Sequence, residues 1–208
     1  NYAETLKQPG FFSFFCTQFL GAFNDNFLKM IVSFVALNLA AANADGYVEL
    51  IAFLFILPSA LFSGHAGHLA DVYSKRMILV GVNLFEIVIM VLTLAIFAVG
   101  SIQPMLAAVF LMGLHAAFFS PAKYGILPEM LPEAELSRGN GLLEMSTFMA
   151  IILGTSLGGA IFTLWKDRLP LIALLMIAIA VAGYYTSLGI PRVPASGAVK
   201  LLRLNPFS

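Results

Sequence analysis

The run FFSFFCTQFLGAFNDNFLKMIVSFVALNLAA, residues 11–41, decides the fold. It exceeds the roughly 20 apolar residues that cross a bilayer and is too long for the core of a signal peptide. Its middle carries Asn24, Asp25, Asn26 and Lys29. Each ionised side chain at that depth costs roughly 2.5–3.5 kcal/mol on the insertion scale, so two cost about 5–7 kcal/mol. The Leu, Ile, Phe and Val residues around them return roughly 4–9 kcal/mol, leaving insertion near balance. Something other than lipid must therefore face the charges. At 100° per residue, Gln18, Ala22, Asp25, Asn26, Lys29 and Ser33 share one side of the helix, a polar stripe fit for a cavity. Asp25 and Lys29 have the i,i+4 spacing of an ion pair, and two readings stay open: mutual neutralisation in a packed bundle, or a pathway for a polar solute. Asn24 points away from the stripe, toward a neighbouring helix.

The rest of the chain agrees with a lipid environment. Of its 208 residues 60% are hydrophobic and 11% charged, too few polar groups to cover a water-facing surface. Lys and Arg number 11, as do Asp and Glu, so no basic excess points to nucleic acid. Cys16 is the single cysteine and offers neither a disulfide nor a metal site. Five more spans are expected at residues 48–68, 77–99, 104–119, 140–164 and 169–190, giving an all-α integral membrane bundle over 1–190. The remainder, 191–208, reads as a linker toward a second half, and Asn1 in place of Met suggests a trimmed start.

Orientation follows from the basic residues, because Lys and Arg accumulate in cytoplasmic connections. Lys7, Lys75, Arg76, Lys123, Arg138, Arg192, Lys200 and Arg203 fall on one side, and Lys166 and Arg168 on the other, which predicts both ends of the segment in the cytoplasm. Six crossings are what two three-helix units of opposite orientation require, the arrangement common among secondary carriers.

Beyond the first span, Asn140, Glu144, Thr147, Thr155 and Gly158 share a face in the fifth, where Glu144 is the candidate for ligand contact. Gly154 and Gly158 form a small-xxx-small pair, read as helix packing. Glu86, in the third span, could hold a proton or simply bond Asn83. His65, His68 and Asp71 are spaced as metal ligands but lack a fourth partner, and no metal site is expected. No phosphate-binding glycine loop or nucleophile elbow occurs, so no enzyme chemistry is expected.

The connection Gly67-His68-Leu69-Ala70-Asp71-Val72-Tyr73-Ser74-Lys75-Arg76 resembles the G-x-L-a-D-r-x-G-r-k loop of the major facilitator superfamily, with Val72 and Ser74 departing from it. Three blocks are more specific: TQFLGAFNDN from Thr17, FSPAKYGIL from Phe119 and NGLLEMST from Asn140. Together they are similar to the bacterial lysophospholipid transporter branch of that superfamily, whose fold is a 3+3 inverted repeat in each half. The resemblance covers nearly the whole chain but only an amino-terminal half of such a carrier. It implies a lysophospholipid substrate, chiefly lysophosphatidylethanolamine, moved across the bacterial inner membrane by alternating access. It also implies a carboxy-terminal six-helix half as partner and, in some relatives, a fused acyltransferase or acyl-carrier-protein synthetase domain.

A zwitterionic headgroup needs a cation for its phosphate and an anion for its amine. Lys29 or Lys123 could serve the first and Asp25 or Glu144 the second, with Asn26, Gln18 and Asn140 supplying further polar contacts. Pro121 and Pro128 bracket Lys123 and are expected to break the helix, so Lys123 could equally snorkel to lipid headgroups. The resemblance makes Asp71, Lys75 and Arg76 a gate. No organic cofactor is expected, and a coupling proton or sodium ion would sit on a carboxylate such as Asp25 or Glu144. Two competing readings are a carrier of a drug or metabolite, and a membrane anchor for a fused acyltransferase.

Overall fold

The computed structural model describes residues 2–39 and 44–192. The far end expected for the first span and most of the linker, 193–208, with Lys200 and Arg203, lie outside the described residues. After a short α1 (Tyr2–Leu6) come six long helices: α2 (Phe11–Leu39), α3 (Ala44–Val72), α4 (Lys75–Val99), α5 (Ile102–Met130), α6 (Glu133–Trp165) and α7 (Leu169–Leu188). The shortest of the six, α7, has 20 residues, about 30 Å at 1.5 Å per residue, which matches a hydrocarbon core.

Residues 133–188 are helical except for the 3₁₀ turn Lys166–Arg168. One rod of that length would reach about 84 Å, far beyond a bilayer. Instead both α6 and α7 pack on α2, so the chain reverses at the 3₁₀ turn and crosses twice. Connections of two residues, Tyr73–Ser74, Gly100–Ser101 and Leu131–Pro132, likewise make neighbours antiparallel. Gly100 closes α4 in the left-handed region at φ 71°, donating its N–H to Ile96 O.

The packing has an internal exchange symmetry. The most extensive helix pairs are α2 with α6 and α3 with α5, followed by α4 with α7, α4 with α5 and α2 with α7. Exchanging α2, α3, α4 for α5, α6, α7 turns the first pair into the second, the fourth into the fifth, and leaves α4–α7 unchanged. Helices three crossings apart run in opposite directions, so this is an inverted 3+3 repeat.

Spacing along α2 explains its central place. Phe14, Thr17, Gly21, Asn24, Leu28, Ile31 and Val35 alternate three and four apart and are all buried, a continuous seam against the neighbouring helices. Both principal crossings close on a glycine. A Cβ at Gly154 of α6 would lie 2.7 Å from the Phe23 carbonyl oxygen of α2, and one at Gly113 of α5 would overlap the Phe55 carbonyl of α3. Gly158, whose Cβ would meet Met30 Cβ at 3.0 Å, extends the first contact, in keeping with the packing role read from its spacing.

Two expectations need correction. α5 runs unbroken through Pro121 and Pro128, well past residue 119. Each proline forfeits only one main-chain donor, and packing against α3 and α4 holds the helix together. The segment Gly67–Arg76 is scarcely a loop: α3 continues to Val72, α4 begins at Lys75, and only Tyr73 and Ser74 connect them.

Candidate functional site

Beside the α2 seam lies a second stripe, Gln18, Ala22, Asp25 and Lys29, which forms one wall of a cavity of about 340 Å³. α3 contributes Phe55 and Ser59, α5 contributes His115, Phe119 and Lys123, and α6 contributes Thr147 and Ile151. The polar stripe read from the helical period thus lines the cavity, except for Ser33 at its far end. Asn26 also lines it, donating to Ala22 O at 2.7 Å within its own helix.

At one end of the cavity Gln18 Nε2 donates to Thr147 Oγ1 at 2.8 Å, and Lys123 Nζ lies 3.5 Å from the same oxygen. Lys123 is 6% exposed, which argues against a side chain reaching out to lipid headgroups. Its ammonium stands 3.7 Å from Glu144 Oε1, to which Tyr124 donates its phenolic proton at 2.9 Å. The Glu144 side chain is 47% exposed, so it touches the cavity only through Lys123. Asn140 is exposed one turn further along α6 and does not line the cavity. Of the face drawn for α6, Thr147 lines the cavity beside Ile151, while Asn140, Glu144, Thr155 and Gly158 do not.

Seven residues along α2, about 10 Å by the helical rise, stands Asp25. Its Oδ1 is buried without a hydrogen-bond partner. Lys29 does not close on Asp25 within ion-pair distance; its ammonium sits 4.0 Å above the centre of the Phe55 ring. No ion pair joins the two among the described residues. A desolvated cation over an aromatic face gains roughly 2 kcal/mol, which offsets part of the cost of holding it at this depth.

Behind Asp25 runs a buried polar chain that the sequence reading caught only in part. Asn24, on the seam, donates to Glu86 Oε1 of α4 at 2.8 Å and to Met176 O of α7 at 3.3 Å. Glu86 Oε2 lies 3.5 Å from His115 Nε2 of α5, aligned too poorly for a hydrogen bond. Asn83 is not the partner of Glu86, for it donates to Leu79 O in its own helix. His115 went unnoticed in the sequence; the available signal was its i,i+4,i+8 spacing with Phe119 and Lys123 on the cavity face of α5. Each buried polar atom left without a partner costs about 1–3 kcal/mol, so this chain is expensive to keep.

The residues that the resemblance makes a gate lie at the end of the bundle where α4 begins. Lys75 Nζ donates to Glu129 Oε1 of α5 at 2.5 Å. Arg76 Nε donates to Ile190 O at 2.6 Å and Nη2 to Leu188 O at 3.1 Å, satisfying carbonyls at the end of α7. Asp71 stands exposed in the last turn of α3. Both cations thus tie helices of this one bundle together.

Six apolar crossings in an inverted repeat around a charged cavity narrow the fold, and the family model of the Major Facilitator Superfamily matches residues 14–204. The chain belongs to the Major Facilitator Superfamily. Within that superfamily it is similar to proteins named lysophospholipid transporter LplT. The one from Klebsiella pneumoniae is 32% identical over 205 residues, 98% of this chain and 49% of the relative. The Escherichia coli protein is 34% identical over 197 residues, 92% of this chain and 46% of the relative. That of Salmonella typhimurium is 33% identical over 205 residues, again 98% of this chain and 48% of the relative. The chain spans about half the length of these curated relatives.

Proposed function

We propose that the chain is the amino-terminal half of a secondary carrier that moves lysophospholipids across a bacterial inner membrane by alternating access. The observation that carries this reading is the cavity itself: one carboxylate, Asp25, and two ammonium groups, Lys29 and Lys123, on a wall that is otherwise largely apolar. A zwitterionic headgroup needs both signs of charge, and a single acyl chain needs the apolar remainder, including Phe55, Phe119 and Ile151. The names of the relatives supply the same substrate class. In this reading Asp25 takes the amine, Lys123 and Lys29 compete for the phosphate, and Gln18 and Asn26 add neutral contacts. A coupling proton or sodium ion would share Asp25. The carboxy-terminal half would close the open side of the cavity, with both ends of this segment cytoplasmic, as the basic residues suggest.

The test is uptake of labelled lysophosphatidylethanolamine by the full-length parent in proteoliposomes, wild type against Asp25→Asn. Uptake by the wild type and its loss in the variant supports the reading. A wild type that takes up no lysolipid overturns it in favour of another cargo or of a membrane anchor.

A further inference from the structure

The exchange that maps α2, α3 and α4 onto α5, α6 and α7 also relates the two ends of the α4–α7 seam. It carries the start of α4 onto the start of α7, and the end of α7 onto the end of α4. Each start follows a connection that holds two cations and a carboxylate: Asp71, Lys75 and Arg76 before α4, and Lys166, Asp167 and Arg168 before α7.

The two ends are nevertheless in different states. At the first, Arg76 covers the Leu188 and Ile190 carbonyls at the end of α7, and Ile190 is buried in the cluster of Phe11, Phe14 and Leu79. Thr17 Oγ1 meets Thr186 Oγ1 at 2.9 Å, so α2 is seated there as well. At the second, Gly100 N–H reaches Ile96 O, but no side chain caps the last carbonyls of α4 among the described residues. In place of a tie lies a cavity of about 210 Å³ between the ends of α2 and α4 and the start of α7, bounded by Val35, Asn38, Gly100, Phe162, Lys166 and Asp167. Its floor is firm, for Phe162 stacks on Phe34 with ring centres 5.3 Å apart. A Cβ at Gly100 would meet nothing within 4 Å, so the turn that ends α4 stands uncovered. The exposed side chains of Lys166 and Asp167 make no hydrogen bond or ion pair among the described residues.

We propose that Lys166 is the counterpart of Arg76: a latch, open in this structure, that closes across the cavity onto the carbonyls ending α4 as the carrier turns over. Resting on the alternating-access reading, it adds a moving part which that reading does not name. An ammonium at a helix C-terminus satisfies carbonyls left without rungs and complements the negative end of the dipole. Lysine brings three donors on a flexible stem, suited to a contact that is made and broken. Lys166 is the cation that lines the cavity; Arg168 does not. One end of a seam shut while its counterpart stands open is what two opposed units exchanging conformations would show.

The experiment reads closure of the cavity. The full-length parent, carrying Cys16→Ser and Asn38→Cys and no other cysteine, is reconstituted in proteoliposomes. Its rate of modification by N-ethylmaleimide is measured with and without lysophosphatidylethanolamine, alongside uptake of that lipid. Leu39→Cys, on the same wall, is a second reporter. Adding the lipid is expected to slow modification about fivefold, an effect kept in Lys166→Arg and lost in Lys166→Met. Slowing that survives in Lys166→Met, or a rate that the lipid does not slow while uptake proceeds, overturns the latch and leaves the carrier reading standing. A wild type that takes up no lysolipid overturns the carrier reading and the latch with it.

Discussion

Asn24 on α2 donates to Glu86 on α4 across 2.8 Å while its amide also reaches the Met176 carbonyl of α7, so one side chain joins three helices at the buried centre of the bundle. Asn24→Leu would remove the only hydrogen bond given to the Glu86 carboxyl among the described residues, leaving a buried carboxyl unpaired. The expected loss is about 1–3 kcal/mol of stability. Thermal unfolding in detergent should register it as a lower midpoint, while Asn24→Asp, which also lacks the amide donor, should do no better.

The glycines at the two main crossings make a sharper structural test. Gly154→Ala and Gly113→Ala each drive a methyl group into a main-chain carbonyl, of Phe23 and Phe55, which can yield only by separating the helices. About 1–3 kcal/mol of destabilisation is expected for each. Gly141→Ala, exposed on α6 with nothing within 4 Å, should be neutral or stabilising by roughly 0.5–1 kcal/mol. Ranking the three by thermal midpoint checks the assignment.

Lys123, on the cavity wall, and Glu144, outside it, should separate in their effects despite standing 3.7 Å apart. Lys123→Met should lower lysolipid uptake about 10- to 100-fold, the range of a lost charge-assisted hydrogen bond. Glu144→Gln should lower it less than about threefold, since its half-exposed carboxylate lies outside the cavity and meets it only through Lys123. Equal losses in the two variants would place Glu144 in contact with the headgroup.

At the opposite functional extreme, Arg76→Ala should leave the fold intact and loosen one helix end. Its guanidinium meets the carbonyls of Leu188 and Ile190, so amide hydrogen exchange over residues 185–190 should quicken. Lys75→Ala should change exchange there little, because its partner is Glu129 on α5.

The parts of this architecture legible in the sequence are those fixed by a period. The cavity stripe on α2 and the turning of Asn24 toward other helices both follow from 100° per residue, as does the packing use of Gly154 and Gly158. Partners across helices were harder to read. For Glu86 the sequence offers a proton site or a bond to nearby Asn83 but not its partner Asn24, because local spacing is visible while the approach of α2 is not. His115 lay unremarked for the same reason: a lone histidine in an apolar helix acquires meaning only when α4 brings Glu86 beside it. Lys29 was paired with Asp25 by spacing, but the Phe55 ring that holds it belongs to another helix. Asn140 shares the drawn face of α6 yet stands outside the cavity, because such a face does not tell where the cavity ends.

The two prolines that α5 absorbs leave the carbonyls of Ala117 and Tyr124 without their usual rungs, seven residues apart in one helix. A rod missing two rungs flexes there more cheaply than elsewhere along its length. Lys123, which lines the cavity, and Glu129, which holds Lys75, both belong to this weakened end of α5. One helix thus spans from the cavity wall to the cross-link that joins α4 and α5 at the end of the bundle.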